Sequence, residues 1–427
     1  MDDSLASEQT RTEIRRAPPP RRPSRTFQAL AYPDYRLLWL GQVGSSASQW
    51  MDQVVRPILV LELTGSAVQL GLVSALRMAP MLAVGLVAGA VADRFDRRRI
   101  LVLAQATTMA VFFIIAFLVL SDGIAMWQVY ITTLAMGTAN AFNQPARQAL
   151  IPSIVPREHL ANAVALNSVA FNITRVVGAS LAGILILPLG IGGVYFLSGV
   201  LMLVVTMLTS LISVRWQVGP AALPPFWRSL GEGLAYAGRE RAVLAIVVLT
   251  LVIFVFSMPF QSVFIPLLAR DELGIGDSGV GFLIAVTGAG ALLGALVLAS
   301  LGRLHRRGIL MVAGSGALGL ALAGFAISSW LPWLVLPFLL VALVGALQMA
   351  LMPISNSFLL ETTPPALHGR VMSLLSLDRG FITLGAVIAG FLAAAAGPQW
   401  GLIIMGALGA GSAALVAVLF PLMRRVD

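Results

Sequence analysis

Twelve long apolar runs, at roughly 36–62, 67–92, 99–120, 125–146, 161–187, 191–214, 242–267, 278–301, 308–328, 331–358, 371–396 and 399–422, leave this 427-residue chain few ways to fold. Each is close to the ~20 residues a helix needs to cross a bilayer. With 58% hydrophobic and only 11% charged residues, the chain carries more apolar surface than a water-soluble core can hide. Hydrocarbon offers the backbone no hydrogen-bond partners, and the runs are unbroken rather than alternating. The spans are therefore expected to be helices and not barrel strands.

Short basic loops punctuate the runs, and one of them recurs. Asp93-Arg94-Phe95-Asp96-Arg97-Arg98-Arg99-Ile100 aligns without a gap against Gly302-Arg303-Leu304-His305-Arg306-Arg307-Gly308-Ile309, and Gly85 falls on Gly294 at the same offset. A second correspondence pairs Gly178-Ala-Ser-Leu-Ala-Gly183 with Gly385-Ala-Val-Ile-Ala-Gly390. Such self-similarity marks a duplicated bundle. Small residues at these positions, Gly178, Gly183, Gly385 and Gly390, are expected to let helix backbones pack closely.

The long polar break at 215–241 divides the runs six and six. The expected organisation is a disordered cytoplasmic tail at 1–35, a six-helix bundle at 36–214, a cytoplasmic linker at 215–241 and a second six-helix bundle at 242–423. The tail lacks the apolar core of a signal peptide. With the amino end inside, Arg94, Arg97–Arg99, Arg147, Arg157, Arg215, Arg228, Arg239, Arg241, Arg303, Arg306, Arg307, Arg370, Arg424 and Arg425 share one side, and only Arg270 lies on the other. That bias places both termini in the cytoplasm of a multi-pass protein of the inner or plasma membrane.

Several chemistries are excluded or left without residues. All 28 basic residues are Arg, so neither a Walker-type phosphate loop nor Schiff-base chemistry is available. Cysteine is absent, and the three histidines, at 159, 305 and 368, are scattered near loops, so no metal site is expected. No HExxH motif appears. The chain is expected not to be an enzyme, to bind no nucleic acid and to act as a monomer.

Ionisable residues at membrane depth are costly and point to function. Gln42, Ser45, Gln49, Asp52 and Arg56 recur at steps of three and four, which puts them on one face of the first span. Asp52 sits near mid-span with Arg56 one turn on. Burial disfavours its charge and Arg56 favours it, the balance a proton-coupling carboxylate requires. Arg77, Arg175, Asp378 and Arg379 are also deep. Two acids against four arginines leave an excess of positive charge suited to a carboxylate, catecholate or phosphate. Asn140, Asn143, Gln144, Gln261 and Gln348 add hydrogen-bonding capacity, read mainly as pairing between helices.

Twelve spans in two repeats, with the loop after the second span reading G-x-x-x-D-R-x-x-R-R, resemble the major facilitator superfamily. The match rests on Gly89, Asp93, Arg94, Arg97 and Arg98, with Asp96 where many members carry Gly. Phe142-Asn143-Gln144-Pro145-Ala146-Arg147, Leu61-Glu62-Leu63-Thr64-Gly65-Ser66 and His368-Gly369-Arg370-Val371-Met372-Ser373 are similar to the branch containing the enterobactin exporter and macrolide efflux proteins. The resemblance implies an all-α fold of two pseudo-symmetric six-helix bundles and transport by alternating access. It also implies a gating role for the Gly89–Arg98 loop. Gly178 is followed by Ala179, where exporters of the family tend to have Gly-Pro. The expected activity is proton-driven export of an amphipathic small molecule, such as a siderophore or macrolide-like drug, with no cofactor beyond the proton gradient. The alternatives are an importer of a small organic anion and a non-transporting membrane sensor.

Overall fold

The computed structural model describes residues 25–213, 226–301, 306–364, 367–375 and 377–420, and among these it is helical with no strand. The helices are α1 (Pro33–Thr64), α2 (Ala67–Arg94), α3 (Arg97–Leu120), α4 (Met126–Ile154), α5 (Leu160–Ser210), α6 (Phe226–Arg239), α7 (Arg241–Phe256), α8 (Phe264–Leu267), α9 (Gly276–Ser300), α10 (Arg307–Ser328), α11 (Val335–Thr362), α12 (His368–Leu375), α13 (Asp378–Ala396) and α14 (Pro398–Leu419).

Local chemistry sets the boundaries. Pro33 opens α1, where its missing N–H costs nothing, and Gly65 closes it in the left-handed region at φ 59°, with its N–H on the Leu61 carbonyl at 2.8 Å. Ser66 caps α2 by accepting from the Gln69 N–H, and Asp96 caps α3 by accepting from the Arg98 N–H at 3.0 Å. Pro188 and Gly190, the latter at φ 63° and ψ 179°, break α5 into two arms. The helical path from α7 to residue 272 is likewise discontinuous, passing through a 3-10 turn at Met258–Phe260, α8 and a π turn at Leu268–Glu272.

Among the described residues, nine stretches are long and apolar enough to cross a membrane. One of them, Arg157–Ser210, has 54 residues, over twice the length one crossing needs, and it contains the Gly190 break. α1 has 32 residues but buries a polar face of Gln42, Ser45, Ser46, Ser48, Asp52 and Arg56. Large apolar side chains such as Leu103, Phe117, Leu187, Leu320 and Val418 point outward, as lipid contact demands and water would not tolerate. The chain is thus an integral membrane protein. Trp127, Trp330, Trp333 and Trp400 are exposed at helix ends away from the basic loops, with Trp330 and Trp400 rings 5.6 Å apart, as interfacial aromatic residues tend to be.

Two expectations about the chain's course change. The segment read as a disordered tail to residue 35 is structured from Arg25. A 3-10 helix occupies Arg25–Ala31, and the Ala29 N–H donates to Asn162 Oδ1 at 3.0 Å. The stretch after residue 146, between the fourth and fifth apolar runs, is instead helix through Ile154, because neighbouring helices accommodate Pro152 inside α4. Arg147 consequently leaves the loop and is buried, donating to the Leu38 carbonyl of α1 at 3.1 Å. Within the 215–241 linker, α6 forms and packs on α12.

Before the linker, α1 packs on α5, α2 on α4, and α3 on both α4 and α5; after it, α9 packs on α11, α10 on α11 and α14, and α7 on α13 and α14. Two larger contacts join the groups, α2 with α13 and α5 with α9. Glycine makes them possible. A Cβ on Gly183 would meet the Ser278 carbonyl oxygen at 2.7 Å, and one on Gly390 would meet the Ala67 carbonyl oxygen at 2.8 Å and Gly71 Cα at 3.0 Å. Gly178 lies instead on Ala47 and Trp50 of α1, and Gly385 on Val255 of α7 and on Pro259. The first glycine of each repeated pair therefore packs within its own group and the second packs across. Both crossings lie at the ends of the helices remote from the basic loops, so the two groups are closed together there.

Candidate functional site

The polar face of α1 converges on Asp52. Gln42 Nε2 donates to Ser46 Oγ at 2.6 Å and Gln49 Nε2 to Ser45 Oγ at 3.5 Å, so both glutamines are held within their own helix. Asp52 is different, because its side chain has no exposure at all and receives partners from three helices, α1, α2 and α5. Arg56 Nε donates to Oδ1 at 2.9 Å and its Nη2 lies 2.8 Å from the same oxygen. Arg77 Nη1 from α2 pairs with Oδ2, and the Tyr195 hydroxyl from the second arm of α5 donates to Oδ1 at 3.1 Å. Arg56 in turn donates to Thr133 Oγ1 of α4 at 3.0 Å and stacks over the Tyr195 ring at 5.9 Å.

Two arginines on one buried carboxylate leave a net positive cluster. Burial of three charges costs several kcal/mol per ion, and only this dense hydrogen bonding offsets it. The pairing of Asp52 with Arg56 follows from their one-turn spacing on α1. The inclusion of Arg77, Tyr195 and Thr133 does not, since they come from other helices, and of these only Arg77 stands out in the sequence, as a charge at membrane depth. Arg56 and Arg77 both border open space, and Arg77 is the more open, 16% exposed against 3% for Arg56. It lines a cavity of about 180 Å³ with Gln53, Pro57 and Met78 on one side and Met258, Gln261 and Ile382 on the other. The cavity therefore lies between the two groups of helices.

Arg175 occupies a second place. Its guanidinium sits 5.2 Å from the centre of the Trp50 ring, which itself packs on Phe171 at 5.7 Å. Gly288 of α9 closes on its stem, where a Cβ would meet Arg175 Cγ at 3.2 Å. Asp378 stays out of both clusters, its Oδ1 accepting from the Arg379 N–H at 2.6 Å in the first turn of α13. The deep charges thus divide among three sites. Of the remaining polar residues, Asn143 is buried on α4, Gln261 lines the cavity, and Gln348 Nε2 donates to Ser257 Oγ at 2.8 Å, pinning α11 to the end of α7.

In the basic loop, Gly89, Asp93 and Arg94 lie on the helical backbone of α2, but their side chains fall outside the described residues, as do residues 302–305 of the second copy. Arg97 donates to the Ala149 carbonyl at 2.8 Å and to Ser153 Oγ at 3.4 Å, and Arg98 to the Ser210 carbonyl. Those acceptors are in the last turns of α4 and α5, where the helix dipole attracts positive charge, and the Ser210 carbonyl ends α5 without a helical partner. Arg307 makes the equivalent reach, to Ser357 Oγ at 3.0 Å near the end of α11. These bonds tie helices within one group. Arg97→Gln is expected to lower stability by about 1 kcal/mol, read as a drop in melting temperature of the detergent-solubilised protein. Arg99→Gln, at an 88% exposed side chain, is expected to change nothing measurable. An equal drop for both would show that the Arg97 bonds are not what matters.

Among the described residues no group of His, Cys, Asp or Glu could hold a metal ion. A family profile described as "Transmembrane secretion effector" matches residues 24–427. Among curated proteins, the multidrug efflux pump Tap of Mycolicibacterium fortuitum is 26% identical over 401 residues, 92% of this chain and 96% of that protein. Macrolide efflux protein A of Streptococcus pyogenes is 27% identical over 303 residues, 69% of this chain and 72% of its own. The enterobactin exporter EntS of Escherichia coli O1:K1 / APEC is 27% identical over 388 residues, 88% and 91% of the two chains. Among solved structures, the nucleoside transporter NupG aligns with a TM-score of 0.71 at 12% identity, covering 92% of this chain and 99% of that one. At that identity the likeness speaks for the fold alone.

Proposed function

Because the chain belongs to the transmembrane secretion effector family of major facilitator transporters, we propose that it exports an amphipathic small molecule by alternating access, driven by the proton gradient. The observation that carries this reading is the cavity beside Arg77, walled by α1 and α2 on one side and by Met258, Gln261 and α13 on the other. A site shared by two rigid groups is exposed to alternate faces when the groups rock. The relatives named for drug, macrolide and enterobactin efflux favour outward movement of a siderophore or macrolide-like compound.

In this reading the chain crosses the membrane twelve times in two six-helix bundles: α5 supplies two crossings, the path from α7 to residue 272 one, and α12 with α13 one. The basic loops and both termini face the cytoplasm of the inner or plasma membrane, and the protein works as a monomer. The glycine crossings then close the outer side, which makes this the inward-facing arrangement. Asp52 is the coupling carboxylate. Its proton occupancy depends on whether Arg77 stays on Oδ2, and Arg77 is the more exposed of the two arginine partners that line the cavity. Gln42, Gln49 and Arg56 complete that polar pathway, Asp378 stands at its inner edge, and Asp93 and Arg94 brace the inner gate.

One observation favours a second reading. Arg77 gives the cavity a positive wall, which also suits an importer of a small organic anion. Accumulation of a siderophore, a macrolide and a small organic anion, measured in cells with and without the gene and with and without an uncoupler, separates the two. Export predicts several-fold lower accumulation of an amphipathic compound, abolished by the uncoupler. Raised accumulation of the anion would establish import instead, and uncoupler-resistant export would remove the proton from the mechanism.

A further inference from the structure

Among the described residues, three N–H groups at the junction of α1, α5 and α9 have no acceptor. Arg175 Nε and Nη2 and Trp50 Nε1 are all buried and without a hydrogen-bond partner. They belong to side chains in direct contact, with the guanidinium over the indole at 5.2 Å. Arg175 is 9% exposed, and among the described residues no carboxylate pairs with it. This sets it apart from Arg56 and Arg77, which share Asp52.

An unpartnered buried donor costs about 1–3 kcal/mol, and more when charged. At membrane depth no lipid group can supply the acceptor. Trp50 lies near the middle of the 32-residue α1 and Gly288 near the middle of the 25-residue α9, so the donors sit near the bilayer midplane, where transporter substrates bind. Every group presented is a donor, which excludes a cationic ligand. The flat guanidinium fork suits two oxygens of one planar anion, and the indole offers a third bond and an apolar face.

We propose that Arg175 and Trp50 form a subsite for a carboxylate-type anionic oxygen pair on the transported molecule, separate from the Asp52–Arg77 cluster. The substrate class is then an amphipathic compound with an aromatic or otherwise flat apolar body next to its carboxylate, the ring packing against Trp50. Gly288 gives the site its wall. Arg175's stem lies on the bare backbone of α9, a helix of the other group, so the donors are enclosed while α5 and α9 are together and uncovered when they part. The inference rests on the transporter reading and narrows its substrate.

The test uses the full chain in lipid nanodiscs and calorimetric titration with 2-naphthylacetate, 2-naphthylacetamide and 2-naphthylethylammonium. The unaltered protein is expected to bind the carboxylate about tenfold more tightly than the amide, and the ammonium least. Arg175→Gln should remove the preference for carboxylate while leaving amide binding in place. Trp50→Phe, which keeps the ring and deletes the N–H, should reduce that preference several-fold, and Arg99→Gln should leave it unchanged. If Arg175→Gln fails to fold, Trp50→Phe decides alone, and an unchanged preference there overturns the proposal. Equal binding of carboxylate and amide by the unaltered protein, meaning that the donors hold water only, also overturns it. No gradient enters this measurement, so a negative result leaves proton-driven export standing, and loss of uncoupler sensitivity leaves the subsite standing.

Discussion

Asp52→Asn is expected to abolish gradient-driven transport and to destabilise the folded protein by about 3–5 kcal/mol, the usual cost of removing one partner from a buried ion pair. The asparagine fits the space, but its amide nitrogen is a donor facing donors. Arg56, 3% exposed, and Arg77 then lie against each other with no carboxylate between them. Tyr195→Phe removes only one hydroxyl bond to the carboxylate, 3.1 Å long, and should cost about 1.5–3 kcal/mol. Because stability and transport fall together in the single variant, a second one separates them. Asp52→Asn with Arg77→Gln removes one charge of each sign, and it is expected to recover much of the melting temperature while gradient-driven transport in vesicles stays lost. Full transport by either variant would show that Asp52 is not the coupling acid, and a normal melting temperature for Asp52→Asn would show that the cluster is not a net stabiliser.

The second large effect is expected at the crossing of α5 and α9. A Cβ on Gly281 would stand 2.6 Å from both the Ala179 carbonyl oxygen and Gly183 Cα, and 2.7 Å from the Gly183 nitrogen. These are backbone atoms in regular helices, so the whole helix must move. Overpacking of this kind costs about 1–3 kcal/mol, and the cost falls on the arrangement in which the two groups touch. Gly281→Ala should therefore shift the population toward the arrangement open at that end by about tenfold or more. The chain has no cysteine, which makes the measurement simple. With Gln261→Cys as a reporter in the cavity wall, labelling by a membrane-impermeant maleimide from outside should speed up by a similar factor. Gly316→Ala, where nothing lies within 4 Å, serves as the control. An unchanged labelling rate for Gly281→Ala would mean that this crossing does not set the resting arrangement.

The helices and their membrane character were legible because both depend on local composition. A run of twenty apolar residues has one stable form in a bilayer, and Gly65, Ser66 and Asp96 mark ends through bonds made within four residues. Where the reading slipped, the cause was tertiary. The stretch after residue 146, with Pro152, looks like a loop in isolation, yet neighbouring helices let α4 run through it, which carried Arg147 inward. The same division holds at the site. The polar face of α1 and the pairing of Asp52 with Arg56 follow from helical spacing alone. The arrival of Arg77, Tyr195 and Thr133 depends on which helices neighbour α1, as does the choice of Gly183 and Gly390, rather than Gly178 and Gly385, for the crossings between groups. Spacing along one helix cannot encode that.

The break at Gly190 bears on how the protein is made. A single glycine with positive φ separates the two arms of α5, leaving no polar segment between them that could wait in water while the next arm is synthesised. In the twelve-crossing reading proposed above, the 51 residues Leu160–Ser210 are then expected to enter the membrane together, as one helical hairpin. Tyr195, which contacts Asp52, rides on the second arm, and so the buried charges of α1 and α2 gain their hydroxyl partner only when that hairpin has been delivered whole.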